Sequence, residues 1–195
     1  MIPAKTLCAA LQFVADASAE KDVRFYLLGV LFEFKAPNVL TLVATNGAKM
    51  HVAELTTDEH GLDMSFIVGS ADVSHMLSLY KKTPGRVTLC LGEGGQLGTT
   101  DGTLVASFKP IDGRFPDWRC VIPRGAIEAQ PGHWDPVLLA ETFKAAAGLA
   151  KGAAYLTVKT THYGGGSHPC LRVDVLGVPH GEVKEAFAVV MGKRV

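Results

Sequence analysis

An excess of charge of either sign is missing from this chain. Nineteen Lys and Arg balance nineteen Asp and Glu, so the formal net charge at pH 7 is zero. No global electrostatic pull toward nucleic acid can be assumed. A long uninterrupted apolar run is also missing, as is a charged-then-apolar leader. These absences argue against a membrane span or a signal peptide and make the cytoplasm the expected compartment. Cysteine is sparse. Cys8, Cys90, Cys120 and Cys170 are scattered without close pairing, which fits reduced, buried thiols better than disulfides or a zinc site.

Catalytic patterns are lacking too. The histidines (51, 60, 75, 133, 162, 168 and 180) form no HExxH, no HxH and no close His/Cys cluster. His168 lies two residues from Cys170, yet a lone pair without an orienting third group is weak grounds for a dyad. Asp112 and Asp117 sit in a turn, where capping is the ordinary work of a carboxylate. Gly92-Glu93-Gly94-Gly95 reads as a hairpin turn and Gly164-Gly165-Gly166 as a loop. Neither precedes a helix carrying the lysine of a phosphate loop. No metal, cofactor or enzymatic activity is expected; a hydrolase using Cys170 is the remaining catalytic alternative.

What is present is apolar patterning. The 195 residues are 48% hydrophobic and 19% charged, enough for one or two packed domains. Three helical patterns recur at intervals of roughly 65 residues. The first starts near Pro3, with Leu7, Leu11 and Val14 on one face. The second follows Ser70 as N-cap, with Val73, Met76, Leu77 and Tyr80 aligned, and should stop before Pro84. The third opens at Asp135-Pro136, aligns Leu139, Phe143, Ala146 and Ala150, and should end near Gly152. Strand-like runs fill the gaps: 23–35, 39–45, 49–56 and 64–69; then 86–92, 95–99, 102–109 and 118–122; then 153–162, 169–176 and 185–191. Asn46-Gly47, set between apolar runs, is a strong hairpin signal. One helix followed by about three strands is thus used three times. Such a unit cannot bury its sheet face and its helix alone, so units must pair.

Two stretches carry a family resemblance. Ile111-Asp112-Gly113-Arg114-Phe115-Pro116-Asp117-Trp118, followed by Pro123, resembles the signature that closes the middle domain of the bacterial sliding clamp, the beta subunit of DNA polymerase III. Arg24-Phe25-Tyr26-Leu27-Leu28-Gly29-Val30 and Val43-Ala44-Thr45-Asn46-Gly47-Ala48-Lys49-Met50 resemble a second family signature at a similar spacing. Ser167-His168-Pro169-Cys170-Leu171 and the C-terminal Phe187 to Val195 are similar to the end of the family's last domain.

The resemblance implies an α+β DNA-clamp fold of repeated helix-plus-three-strand units, with the helices on one face of antiparallel sheets. Residues 1–125 would be a complete two-unit domain, 126–131 a linker and 132–195 a single half-domain. The implied function is a non-catalytic processivity or tethering factor of DNA replication. The alternative is a clamp-derived interaction module or decoy that does not encircle DNA. The implied partners are polymerase or other clamp-binding peptides, double-stranded DNA and further copies of the chain, as a dimer or tetramer. The peptide groove would be formed by Thr45, Gly47, Lys49, Met50, Pro123, Val190, Met191, Arg194 and Val195. The DNA-facing residues would be Lys5, Lys21, Arg24, Lys81, Lys82, Arg86, Lys144 and Lys151. Asp16, Glu20, Asp72, Asp135 and Glu141 share those segments, so the implied inner face is close to neutral.

Overall fold

A computed structural model describes residues 1–91, 97–103, 105–123, 133–153, 157–163 and 169–192. The first repeat is β1 (Ile2–Pro3), α1 (Ala4–Ala15), β2 (Gly29–Lys35), β3 (Val39–Thr45) and β4 (Lys49–Thr56). The second is β5 (Met64–Gly69), α2 (Ser70–Tyr80), β6 (Arg86–Leu91), β7 (Leu97–Thr100) and β8 (Val105–Phe108). The third is α3 (Pro136–Leu149), β9 (Thr157–Tyr163), β10 (Cys170–Leu176) and β11 (Val183–Met191). The expected linker at 126–131 lies outside the described residues.

Among the described residues every strand pairing is antiparallel, and the strands form two sheets. One runs β1-β6-β7-β8; the other runs β5-β2-β3-β4-β11-β10-β9. The first two repeats exchange their leading strands. β1, which precedes α1, pairs with β6 of the second repeat, and β5, which precedes α2, pairs with β2 of the first. The third repeat extends the larger sheet because β11 pairs along β4, with Val189 opposite Met50.

The α+β architecture follows from how the apolar residues divide. Side chains alternate across a strand, so each strand can feed two cores. On one side, Leu7 and Leu11 of α1, Val73 and Met76 of α2, and Ala146 and Leu149 of α3 pack with Phe32, Leu42, Leu55, Val173 and Ala188. All three helices therefore share one side of the sheets. On the other side, Leu31, Val43, Met50, Val52, Ile67, Phe187 and Val189 pack beneath Phe115 and Trp118. The segment after β8 thus serves as a second lid, and it is joined to β5 by the Ile111 to Ile67 bridge. This double cover explains why β3 is buried at five consecutive positions instead of alternating.

Several expectations need correction. The run 118–122 is not a strand. Trp118–Val121 forms a 3-10 turn, because the Asp117 carboxylate accepts the Arg119 N–H and the Ile122 N–H returns to the Arg119 carbonyl. Residues 23–35 are not one strand either. The Leu27 N–H donates to the Arg24 carbonyl, which winds Phe25–Leu27 into a 3-10 turn before β2 begins. The N-cap of α2 is Gly69; the Ser70 hydroxyl donates instead to the Leu28 carbonyl. In α3, Phe143 is 37% exposed, and the buried stripe is Thr142, Ala146 and Leu149. Asp135 caps that helix as expected, accepting from the Val137 and Leu138 N–H groups. Cys8 and Cys170 are buried, whereas Cys90 is half-buried and Cys120 exposed.

Candidate functional site

The β3–β4 hairpin makes one wall of a groove on the side of the larger sheet away from the helices. The Asn46 carboxamide oxygen accepts the Ala48 and Lys49 N–H groups, each at 2.9 Å. The Thr45 hydroxyl accepts the Gly47 N–H at 3.1 Å and donates to the Lys49 carbonyl at 2.8 Å. Gly47 takes φ +88°, which a residue with a Cβ rarely adopts, so glycine permits this tip. Only one tip residue needs positive φ, because the Asn46 side chain closes the turn.

Arg24 sits against the hairpin. A Cβ added to Gly47 would lie 3.3 Å from an Arg24 guanidinium nitrogen. The Asp22 carboxylate receives three Arg24 hydrogen bonds, two from the guanidinium at 3.0 and 2.7 Å and one from the backbone N–H at 2.8 Å. These bonds hold the Asp22 pKa down to about 2. The floor is Met50 and Val189, opposite one another across the β4–β11 junction and almost fully buried. The Met191 N–H donates to the Ala48 carbonyl at 2.9 Å, which ties the end of β11 to the hairpin.

The far wall is the 3-10 turn. Trp118 is 8% exposed and its indole N–H has no partner among the described residues, while Val121 is 48% exposed at the rim. The Arg119 guanidinium lies 4.1 Å over the Trp118 ring and forks onto Glu33 at 3.1 and 3.0 Å. This clamp fixes the indole by cation–π and bidentate contacts. A hydrogen bond from the Cys120 thiol, aided by the Arg119 N–H, lowers the Asp117 pKa. The enclosed space is about 190 Å³ and is lined mainly by Leu27, Met50, Pro116, Trp118, Val121, Val189 and Met191, with Arg24 and Asp117 as charged edges. Such a space takes an apolar side chain and offers rim groups for orienting it.

Of the residues expected in the groove, the structure brings together Thr45, Gly47, Lys49, Met50 and Met191. Lys49 borders the groove, but its side chain stands on the helix side with Val190, its partner across β4 and β11. It is 4% exposed, and its ammonium reaches the helix side, 2.7 Å from Glu141 of α3 and 3.3 Å from Asp16 after α1. Val190 points into the helix-side core, and Val189 takes the place expected for it. Pro123 is not among the lining residues. Arg194 and Val195 lie outside the described residues. Leu27, Pro116, Trp118 and Val121 were missed as groove residues, although all stand inside the two signature runs.

The basic residues expected to face DNA divide into two groups. Lys5 on α1, Lys21 beyond it, Lys81 and Lys82 at the end of α2, Lys144 on α3 and Lys151 just past it are all exposed. Arg24 and Arg86 are not on helices. Arg24 edges the groove, and Arg86 at the start of β6 is paired with Asp58 at 2.6 Å. The wide concavity between α1 and α3 mixes Lys21, Lys49 and Lys144 with Asp16, Glu20, Asp22 and Glu141. Among the described residues no group of His, Cys, Asp or Glu could hold a metal ion, and no helix is long and apolar enough to cross a membrane.

Residues 1–117 match the family model described as DNA polymerase III beta subunit, central domain. The beta sliding clamp of Haemophilus influenzae is 30% identical over 134 residues, which is 69% of this chain and 36% of that protein. The beta sliding clamp of Pseudomonas aeruginosa is 32% identical over 135 residues, again 69% of this chain and 36% of the relative. The chain therefore spans little more than a third of the length of these relatives. A crystal structure of the Pseudomonas aeruginosa DNA polymerase sliding clamp matches 100% of this chain and 66% of its own, with TM-score 0.66 and 21% identity. The Thermotoga maritima beta subunit matches 100% of this chain and 65% of its own, with TM-score 0.68 and 15% identity. Those two likenesses show the shared fold, and the family match over the first two repeats shows descent: the chain belongs to the family of the DNA polymerase III beta subunit, the bacterial sliding clamps.

Proposed function

We propose that this chain is a non-catalytic, clamp-type tethering factor of DNA replication whose groove receives a short extended peptide from client proteins. The carrying observation is the groove itself: an apolar floor of Met50 and Val189 between the Gly47 hairpin and the Arg119-clamped Trp118. An extended peptide gains affinity there by burying an aliphatic or aromatic anchor against those side chains. The proposed partners are polymerase-derived or other clamp-binding peptides, duplex DNA and further copies of this chain.

The test is fluorescence anisotropy with a labelled polymerase-derived clamp-binding peptide and the Val121→Glu variant. Val121 is 48% exposed, so its replacement leaves the core intact. Saturable binding weakened at least ~10-fold by the variant supports the reading. Binding unchanged by the variant, or none at all, removes it.

A second reading has its own support. Lys49 is neutralised by two carboxylates, and the concavity between α1 and α3 is lined by four acids and three bases. A clamp-derived module that binds clients without encircling DNA fits that balance. Retention on nicked circular DNA, lost as salt rises, supports the encircling form; no retention with peptide binding intact supports the module.

A further inference from the structure

Strand pairing within this chain follows one rule twice. The N-cap residue of α1, Pro3, lies opposite Arg86, the first residue of β6. The N-cap residue of α2, Gly69, lies opposite Gly29, the first residue of β2. In both cases the strand leading into one repeat's helix covers the outer edge of the first strand after the other repeat's helix. In both cases the next pair inward, Ile2 with Val87 and Val68 with Val30, is apolar and belongs to the helix-side core.

The third repeat has α3, led in by His133 to Asp135, and three following strands, and no partner repeat among the described residues. Among the described residues, nothing pairs with the outer edge of β9. That strand, Thr-Val-Lys-Thr-Thr-His-Tyr, is rich in β-branched residues, has no proline, and carries Lys159 as its one charge apart from histidine. Long edges of this kind are normally blunted or covered. The helix above it is also uncovered. α1 packs against both α2 and α3, and Glu141 marks the side of α3 turned toward Lys49 and α1. At 100° per residue, Leu139, Ala140, Phe143 and Ala147 fall on the opposite side. Ala140, Phe143 and Ala147 are exposed there.

We propose that two copies of this chain join through their third repeats, each laying its lead-in residues His133 to Asp135 along the other's β9 and packing its α3 against the other's. The rule fixes the register. Asp135, the N-cap of α3, would stand opposite Thr157 of the second copy, Trp134 opposite Val158 and His133 opposite Lys159. The Trp134–Val158 pair meets the pattern of the other two repeats, since both side chains already pack at the border of the helix-side core. The two α3 helices run antiparallel about Phe143, which sets the bulky Leu139 against the small Ala147. The interface is isologous, so one surface completes both copies. A second copy is favoured over an unrelated partner because the contacts it supplies are the ones this chain's own first two repeats make. The inference rests on the clamp-type repeat and does not involve the groove.

Sedimentation and light scattering test it. The expected species has twice the 20.7 kDa chain mass. Phe143→Glu should weaken the dimer at least ~100-fold, with an unchanged circular dichroism spectrum. In a Cys120→Ser background, the pair His133→Cys and Lys159→Cys should give a covalent dimer under mild oxidation, and neither replacement alone should do so. A monomer at about 200 µM overturns the proposal. So does a dimer that Phe143→Glu leaves intact and the cysteine pair does not cross-link. Peptide binding lost while the dimer persists counts against the groove reading instead.

Discussion

Acid should unfold this protein through His51 before the bulk of its carboxylates titrate. His51 is fully buried on β4, and its ring stacks on Phe13 with centroids 4.7 Å apart. Its Nδ1–H donates to the Phe13 carbonyl at 2.7 Å, while Nε2 is buried with no partner among the described residues. Protonation would place an unpaired N–H and a positive charge in the core. Desolvation lowers the His51 pKa from 6.5 to about 4, and Lys49 adds to the effect; the Phe13 hydrogen bond, Asp16 and Glu141 oppose it. The folded-state value lies below the unfolded one, so the native state binds fewer protons. The contribution is therefore complete above pH 6.5 and is lost as pH falls toward 4. The full span is worth on the order of 3 kcal/mol, with about 2 kcal/mol gone by about pH 5. That is a large fraction of a typical stability of about 5–15 kcal/mol. Urea unfolding between about pH 7.5 and 5 should show this loss in the native chain. His51→Gln keeps a donor near Phe13 but cannot titrate, and its stability should be nearly flat over that window. Equal slopes for the two proteins would refute the argument.

Three further outcomes are expected. Replacing both carboxylates around Lys49, as Asp16→Asn with Glu141→Gln, strands a buried cation and should cost about 2–4 kcal/mol. Lys49→Met leaves two half-exposed carboxylates in water and should cost less than about 1.5 kcal/mol, so the order of the two losses in urea unfolding is the check. Gly47→Val forces a β-branched residue to φ +88° beside Arg24 and should lower stability by about 1–2 kcal/mol, measured by thermal melting, while weakening groove binding. An aromatic disulfide reagent near neutral pH should label Cys120 quickly, whereas Cys8 (buried, with its pKa pushed up to about 11) and the buried Cys170 should react only on unfolding.

The repeats, the hairpin and the helix starts were legible because each is written locally. Asn46-Gly47, Asp135-Pro136 and the spacing of Leu7, Leu11 and Val14 act over a few residues. The groove was legible in part. Val189 and Val190 are both apolar, and a strand covered on both sides gives no alternation to say which one faces which core. The register of β11 against β4 settles it, and that pairing joins residues more than a hundred positions apart. The Trp118–Val121 turn read as a strand because its apolar residues were spaced for burial; the Asp117 cap and the Arg119–Glu33 fork that wind it are side-chain contacts with no local periodicity. Arg24 and Arg86 read as cations near helices. Arg24 is held beside the groove by Asp22, and Arg86 opens β6 and pairs with Asp58.

Amide hydrogen exchange with and without a client peptide bears most directly on the role given to the groove. Slowed exchange appearing together at 45–50, 116–121 and 189–191, with the helix face unchanged, is the predicted pattern. Protection confined to the helix face, or none at saturating peptide, would show that the cleft between Gly47 and Trp118 is not where partners dock.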